Sequence, residues 1–424
     1  MAISLPANRW IIWTLFVALL LPIGFRLERQ IQDALELPRG THQFKDFQIF
    51  LSAVKGVQKG QPLYRTDRPD FFDPGSAVYK YPPPYAGILF SFATAPRWKP
   101  VARGLYYANL GVLALTLGFL LAGYRSSLVR KLLITLVFLA WQPFHESLAG
   151  LQLEPIMICL VAAGLAVDRK LSTSYATAFA VGVTAALKVY PVVLGLFYLI
   201  RRDWKSIAAA ATAGLFLLAL SAIPLSLREC WYYFTDVLPG LGGTSLVTYN
   251  VSVLAGVARA TLRLVVDAEA FDGLTSIRTL SVLENSGMNW LTVTSKLLLL
   301  AISALLVSST ALQIRRAGRR RTTGSIGFFC SICLMTLLIP TSWVDYQTWL
   351  ILPMAYLIHH ANSRVSWVFL VVSALPAVTI NSLDLHYLDH QWIFSFARGL
   401  IPLALWAGII DTLRGEPAKP AHLG

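Results

Sequence analysis

Two charged residues in this 424-residue chain are set among apolar side chains. Asp46 lies in the run FKDFQIFL, the pattern of an amphipathic helix at a membrane surface, with Phe44, Phe47 and Phe50 available to face lipid. A partly desolvated carboxylate there could take a proton from a hydroxyl group near neutral pH. Lys188 lies in AALKVYPVVLGL, where an ammonium group is costly unless it meets water, a carboxylate or an anion such as a lipid phosphate. The two residues predict a general base and an anion-binding cation.

Both residues also have simpler explanations. Asp46 could be a solvated loop aspartate paired with Lys45, and Lys188 could extend its side chain to the membrane surface. The first explanation applies more strongly to three carboxylates that lie among arginines and turn-forming prolines: Asp67, Asp70 and Asp73. Spacing alone leaves these alternatives open.

A second group of polar side chains lies next to apolar runs, where hydrogen bonds to a ligand's hydroxyl groups would suit them. The group comprises Tyr64, Tyr81, His145, Glu146, Gln152, Glu154, Asn250, Ser252, Trp343, Asp345 and Tyr346. Tyr190 is grouped with Lys188 as an anion-binding candidate. The alternatives are solvated helix ends, an aromatic belt for Trp343, and a glycosylation sequon or a helix cap for Asn250-Val-Ser252.

We expect no metal and no other cofactor. The chain has no HExxH motif and no dense carboxylate cluster. Cys330 and Cys333 have zinc-knuckle spacing, but they lie in an apolar run without a second ligand pair, so we interpret them as packing residues.

The elements that must position these residues are membrane helices. The chain is 56% hydrophobic and only 14% charged, with a mean hydropathy of +0.59, which excludes an ordinary soluble domain. Runs such as 11–25 and 209–225 are long enough to cross about 30 Å of hydrocarbon. The net charge of +14 is concentrated in short connections, as the positive-inside rule predicts, so nucleic acid is not an expected partner.

The apolar runs predict a single polytopic domain over residues 1–424 with both termini cytoplasmic and about twelve crossings. The predicted spans are 10–25, 104–123, 131–143, 151–167, 173–187, 189–200, 206–224, 291–313, 325–340, 347–360, 366–380 and 393–411. Two external loops result, at 26–81 and 226–290, and the segment 82–96 is either re-entrant or a short span. With this topology, the polar motifs next to the spans fall on one outer face of the membrane.

The order of these motifs resembles glycosyltransferase family 87, also called DUF2029. The resemblance is carried by Asp46, Gly60-Gln-Pro-Leu-Tyr64, Tyr79-Lys-Tyr-Pro-Pro83, Lys188-Val-Tyr-Pro191 and Asn250-Val-Ser252, and it covers most of the chain. The family includes polyprenol-phosphate-mannose-dependent mannosyltransferases.

The resemblance implies an all-α GT-C fold with interfacial helices in the first external loop and a cavity open to the periplasm or exterior of an inner or plasma membrane. It also implies inverting transfer of a hexose, expected to be mannose, from a polyprenyl phosphate to a lipid or glycan acceptor. Asp46 would then be the base on the acceptor hydroxyl, and Lys188 would bind the leaving phosphate.

The chain departs from the family pattern in two places. Leu151-Gln-Leu-Glu154 stands where a Gly-Gln-x-Asn run is expected, and Trp343-Val-Asp345-Tyr346 stands where a Trp is often followed by His. The two predicted spans that flank Lys188 are unusually short, and Pro191 indicates a helix break there. The break and the buried lysine would also fit a transporter or flippase of polyprenyl-linked sugars. A third alternative is a catalytically silent scaffold of an envelope-glycan complex.

Overall fold

The computed structural model describes residues 9–36, 44–68, 70–72, 78–93, 98–124, 126–241, 250–265, 289–316, 321–339, 342–379 and 396–414. This part of the chain is helical, and its one β-bridge joins Asn250 to Trp343. The all-α prediction is therefore confirmed. Parts of the predicted external loops, at 37–43, 73–77, 242–249 and 266–288, lie outside the described residues.

The first half of the chain supplies ten helices to the described structure. They are α1 (Arg9–Glu36), α2 (Lys45–Gln58), α3 (Pro83–Ala93), α4 (Trp98–Ala122), α5 (Leu128–Ala140), α6 (Gln142–Gly150), α7 (Glu154–Leu171), α8 (Tyr175–Leu187), α9 (Gly195–Ile200) and α10 (Trp204–Leu225). A short 3₁₀ helix, Tyr190–Leu194, joins α8 to α9.

The second half begins with short elements and ends with longer helices. They are α11 (Leu227–Tyr232), a π-helical turn Tyr233–Val237, α12 (Leu238–Gly240), α13 (Val253–Val265), α14 (Asn289–Arg316), α15 (Arg321–Leu338), a 3₁₀ helix Val344–Leu350, α16 (Ile351–His360), α17 (Arg364–Thr379) and α18 (Ile401–Arg414).

Two of the described helices, α4 and α10, are long and apolar enough to cross a membrane. The pair α5 and α6, bent by 41° at Trp141, would make a third span. This architecture fits a membrane protein, but it does not confirm about twelve crossings, so that number stays a prediction. Helix α3 has 11 residues, or about 16 Å, roughly half the hydrocarbon thickness, which fits the re-entrant alternative.

Small residues let the central helices approach closely. A side chain at Gly182 of α8 would collide with the backbone of Ala210 in α10, and one at Gly164 of α7 would collide with the backbone at Thr177. Such contacts replace the hydrophobic driving force that helices lack in lipid. They hold α8 close to α7 and α10, and Lys188 follows α8 directly.

The apolar face of α2 is buried against protein. Phe44 and Phe47 are fully buried and Phe50 is 4% exposed, so the prediction that they face lipid is wrong. Phe50 instead makes edge-to-face contacts with Tyr81 and Tyr85, at centroid distances of 4.8 and 5.3 Å. Tyr81 and Tyr85, at the end of the predicted external loop and in α3, thus cover Phe50 of α2, and such edge-to-face ring pairs add to the free energy of apolar burial.

Candidate functional site

Asp46 lies in the first turn of α2, where the unpaired backbone N–H groups of a helix favour a carboxylate. The start of α2 is tied to the end of α6, because the Phe44 N–H donates to the carbonyl of Ala149 at 2.9 Å. Phe44 has φ of 58°, a left-handed conformation that costs a non-glycine residue about 1–2 kcal/mol. This joint places Asp46 beside the turn between α6 and α7.

Gln152 connects Asp46 to Lys188. Its Nε2 donates to Asp46 Oδ2 at 2.5 Å, while its Oε1 accepts from the Tyr81 hydroxyl at 3.1 Å and from Lys188 Nζ at 3.3 Å. The amide therefore presents its donor to the carboxylate and its acceptor to the two donors. The preceding Leu151 is left-handed, with φ of 52°, at the position where the sequence resemblance led us to expect glycine. That conformation reverses the chain so that Gln152 enters the site.

Lys188 is buried between two carboxylates. It follows α8 in an extended conformation, and only 2% of its side chain is exposed. Its Nζ donates to Glu154 Oε1 and lies 3.7 Å from Asp345 Oδ2. The rings of Tyr81 and Tyr346 each place their centroid 4.7 Å from Nζ. The two carboxylates that contact this lysine, Glu154 and Asp345, are thus the residues that the sequence analysis singled out as unexpected for the pattern it described.

The carboxylates outnumber the cation here. Burial, and then the neighbouring Glu154, raise the pKa of Asp345 well above its usual range, although Lys188 opposes this. Asp345 therefore takes up a proton more readily than an exposed aspartate does. An anion that approaches Lys188 must compete with Glu154 and Asp345, and protonation of Asp345 would weaken that competition.

Aromatic side chains also contact Glu154, the carboxylate that accepts from Lys188. The Tyr190 hydroxyl donates to Glu154 Oε1 at 3.2 Å and accepts from Trp349 Nε1 at 2.8 Å. The Tyr190 ring stacks on Tyr346 at 4.7 Å. Sequence reasoning missed Trp349, which is three residues after Tyr346. On a 3₁₀ helix that spacing puts both side chains on one face, so the interval was the available signal.

The structure brings eight of the predicted site residues together, and six others lie elsewhere. The eight are Asp46, Tyr81, Gln152, Glu154, Lys188, Tyr190, Asp345 and Tyr346. Of the others, Tyr64 is 2% exposed, and its hydroxyl donates to the carbonyl of Tyr81 at 3.0 Å. It supports the segment that carries Tyr81.

His145 and Glu146 lie on α6 and contact neighbouring parts of the chain. A ring nitrogen of His145 is 3.1 Å from the carbonyl of Leu139, near the end of α5. Glu146 Oε1 accepts from Gln142 Nε2, one turn earlier, at 2.8 Å. The His145 contact spans the bend between α5 and α6, and the Glu146 contact lies within α6. A role for either residue in ligand binding stays a prediction.

Asn250, Ser252 and Trp343 form a joint between distant segments. Asn250 Oδ1 accepts from the backbone N–H groups of Ser252 and Ser342, at 3.1 and 2.9 Å. The Ser252 hydroxyl accepts from the N–H of Ala255 at 3.2 Å and caps α13, as one of the alternatives predicted. Trp343 pairs with Asn250 in the β-bridge. This joint leads directly into the 3₁₀ helix that carries Asp345 and Tyr346.

The described part of the chain contains no group of three or more His, Cys, Asp or Glu residues that could hold a metal ion. What it contains is a buried charge network in which one amide joins a carboxylate to a cation. A carboxylate can accept a proton and a cation can stabilise an anion, so the arrangement suits transfer chemistry between a hydroxyl group and a phosphate-linked group.

The fold and the site define an all-helical protein of membrane type with a buried acid–base network. The family model of glycosyltransferase family 87 matches residues 79–340, and the chain belongs to that family. The chain is also 25% identical over 394 residues to a polyprenol-phosphate-mannose-dependent α-(1-2)-phosphatidylinositol pentamannoside mannosyltransferase of Mycolicibacterium smegmatis. That alignment covers 88% of this chain and 83% of the relative. No solved structure gives a significant match.

Proposed function

We propose that this protein transfers a hexose from a polyprenyl phosphate to a hydroxyl group of a lipid or glycan acceptor, and that the hexose is mannose. Transfer occurs with inversion on the periplasmic or outer face of the cell's inner or plasma membrane. Family membership and the similarity to a polyprenol-phosphate-mannose-dependent enzyme support the donor. The link between Asp46 and Lys188 through Gln152 is the structural observation that carries the proposal.

Asp46 is the general base of the proposed reaction. Its carboxylate takes the proton of the acceptor hydroxyl while the hydroxyl oxygen attacks the anomeric carbon of the donor. The bond from that carbon to the phosphate oxygen breaks on the opposite face, and the electron pair leaves with the phosphate. A single displacement of this kind inverts the anomeric configuration. No second carboxylic acid is needed, because the phosphate is already a good leaving group.

Lys188 stabilises the leaving phosphate. Its ammonium lies within contact of Glu154 and Asp345, so the phosphate exchanges places with at least one carboxylate as it binds. Asp345 is the weaker competitor, because its distance from Nζ is 3.7 Å and its raised pKa favours the neutral form. Glu154 remains in contact with Lys188 and with the Tyr190 hydroxyl, which holds the cation in position.

The direct test is transfer by the purified protein in vesicles. Polyprenyl-phosphate mannose with a labelled sugar is supplied together with an extract of membrane lipids and glycans as acceptors. We expect labelled product and an equal amount of released polyprenyl phosphate, with the opposite anomeric configuration by NMR. Retention of the configuration would contradict the single displacement. Movement of the sugar lipid across the bilayer without any transfer would contradict the enzyme and support the flippase.

A further inference from the structure

A concave site lies beside α2, apart from the charge network. It is a groove of about 610 Å³ between α2, the polar segment that follows it and the start of α4. Its apolar lining includes Ile49, Val78 and Trp98. We call it the α2 groove.

The α2 groove is separated from the charge network by aromatic side chains. Tyr79 lines the groove, and its ring lies 5.8 Å from that of Phe50. On the other side, Phe50 contacts Tyr81, which donates to Gln152. The groove is therefore separate from the charge network, and Phe50 lies between Tyr79 of the groove and Tyr81 of the network.

The charged residues that line the groove are all basic: Lys55, Arg65 and Arg68. Arg65 and Arg68 pair with Asp67 and Asp70 at 3.0 and 2.8 Å, but these pairs are exposed. Such exposed pairs contribute little to stability, so a stronger anion can displace them. Among the described carboxylates, none lies within ion-pair distance of Lys55. The groove therefore favours an anion.

The groove lies at the end of a candidate membrane span. Trp98 is the first residue of α4, and aromatic residues at that position mark the level of the lipid headgroups. Basic side chains at this level attract anionic lipids, while Ile49 and Val78 offer apolar surface to a glycerol backbone or the first methylene groups. The basic charge of the groove and its position at the level of the headgroups both fit an anionic lipid.

We propose that the α2 groove binds the phosphate headgroup of an anionic phospholipid of the surrounding membrane. Lys55 and Arg68 contact the phosphate, and the lipid chains leave the groove along α4. A lipid bound there packs against Tyr79 and so supports the wall that faces the charge network. The proposal does not depend on the sugar transferred, because lipid binding is measured without donor or acceptor.

The test is photocrosslinking from Ser52, which lines the groove. Ser52 is exposed and lines the groove, so it is replaced by benzoylphenylalanine in protein held in nanodiscs of phosphatidylcholine with or without phosphatidylglycerol. Crosslinked lipid is identified by mass spectrometry. We expect phosphatidylglycerol to be crosslinked in excess over its share of the bilayer. Crosslinking of the two lipids in proportion to their abundance would overturn the proposal.

Lys59 offers a matched control. It follows the last turn of α2, is exposed and does not line the groove. Lys55→Gln should lower phosphatidylglycerol crosslinking about fivefold, while Lys59→Gln leaves it unchanged and the charge-conserving Lys55→Arg retains it. Equal losses in Lys55→Gln and Lys59→Gln would indicate general surface attraction and overturn the site. Loss in Lys55→Arg would indicate a packing effect and overturn it as well.

Discussion

Two regions of this molecule carry closely spaced acidic and basic side chains and differ in almost every other respect. Arg65 and Arg68 each form a two-bonded pair with the aspartate two residues later, and these side chains are 37–63% exposed. Lys188 and Glu154 are paired across 34 residues of sequence, with 2% and no exposure. The first region is local and solvated, and the second is distant in sequence and buried.

The difference lies in what happens when one partner is removed. Water replaces a lost partner in the exposed pairs, so each pair contributes little. In the buried network, a lost carboxylate leaves a charge that water cannot reach, and the cost is several kcal/mol. A buried network is therefore where a substitution changes function or folding, and the exposed pairs in the same protein are its natural controls.

The largest effect is expected at Asp46. Asp46→Asn removes the base while keeping the shape of the side chain, and it should lower the rate of transfer by about 10²–10⁴-fold. Asp70→Asn, the matched change in the exposed region, should leave the rate unchanged. The rate is measured with labelled donor in vesicles at saturating acceptor. Transfer that Asp46→Asn retains within a few-fold of the parent would exclude Asp46 as the base.

Glu154→Gln should cause the largest loss of stability. It leaves Lys188 with a neutral amide and the more distant Asp345, and removal of one partner from a buried pair costs about 3–5 kcal/mol. The midpoint of thermal unfolding in detergent should fall by several degrees or more. If the midpoint of Glu154→Gln equalled that of the parent, the buried pair would not be a structural element of the site.

Asp345→Asn should make the stability of the protein less sensitive to a rise in pH. Because the pKa of Asp345 is raised in the folded protein, its contribution is present below the ordinary aspartate pKa of about 3.9 and is lost as the pH rises through the raised value. The asparagine does not titrate. As the pH rises above the ordinary aspartate pKa, the variant should therefore lose less stability than the parent, and the unfolding midpoint as a function of pH is the measurement. A steeper loss in the variant would contradict this assignment.

Much of the fold and part of the site could be predicted from the sequence. Hydrophobic composition indicated the all-helical membrane class, and the break of a helix at Lys188 followed from Pro191. The prediction that the apolar face of α2 contacts lipid was wrong, because periodicity identifies an apolar face but does not show what packs against it. Burial by Tyr81 and Tyr85 is a tertiary contact.

The pairing of the charges could not be predicted either. Glu154 and Asp345 were visible as departures from a family pattern, but nothing local indicates that both contact Lys188. Their convergence depends on the left-handed turn at Leu151 and on the Asn250–Trp343 bridge. Such joints are set by the packing of whole helices, which a single sequence does not display.

The smallest effect is expected in the exposed region. The paired arginine lowers the pKa of Asp67, so the contribution of this pair is present above the ordinary aspartate pKa and is lost as the pH falls through the lowered value. At neutral pH, Asp67→Asn should leave the unfolding midpoint unchanged within error, and added salt should reduce any residual difference because exposed charges are screened. Asp67→Asn and Glu154→Gln are measured side by side. A loss in Asp67→Asn as large as that in Glu154→Gln would mean that burial does not separate the two regions.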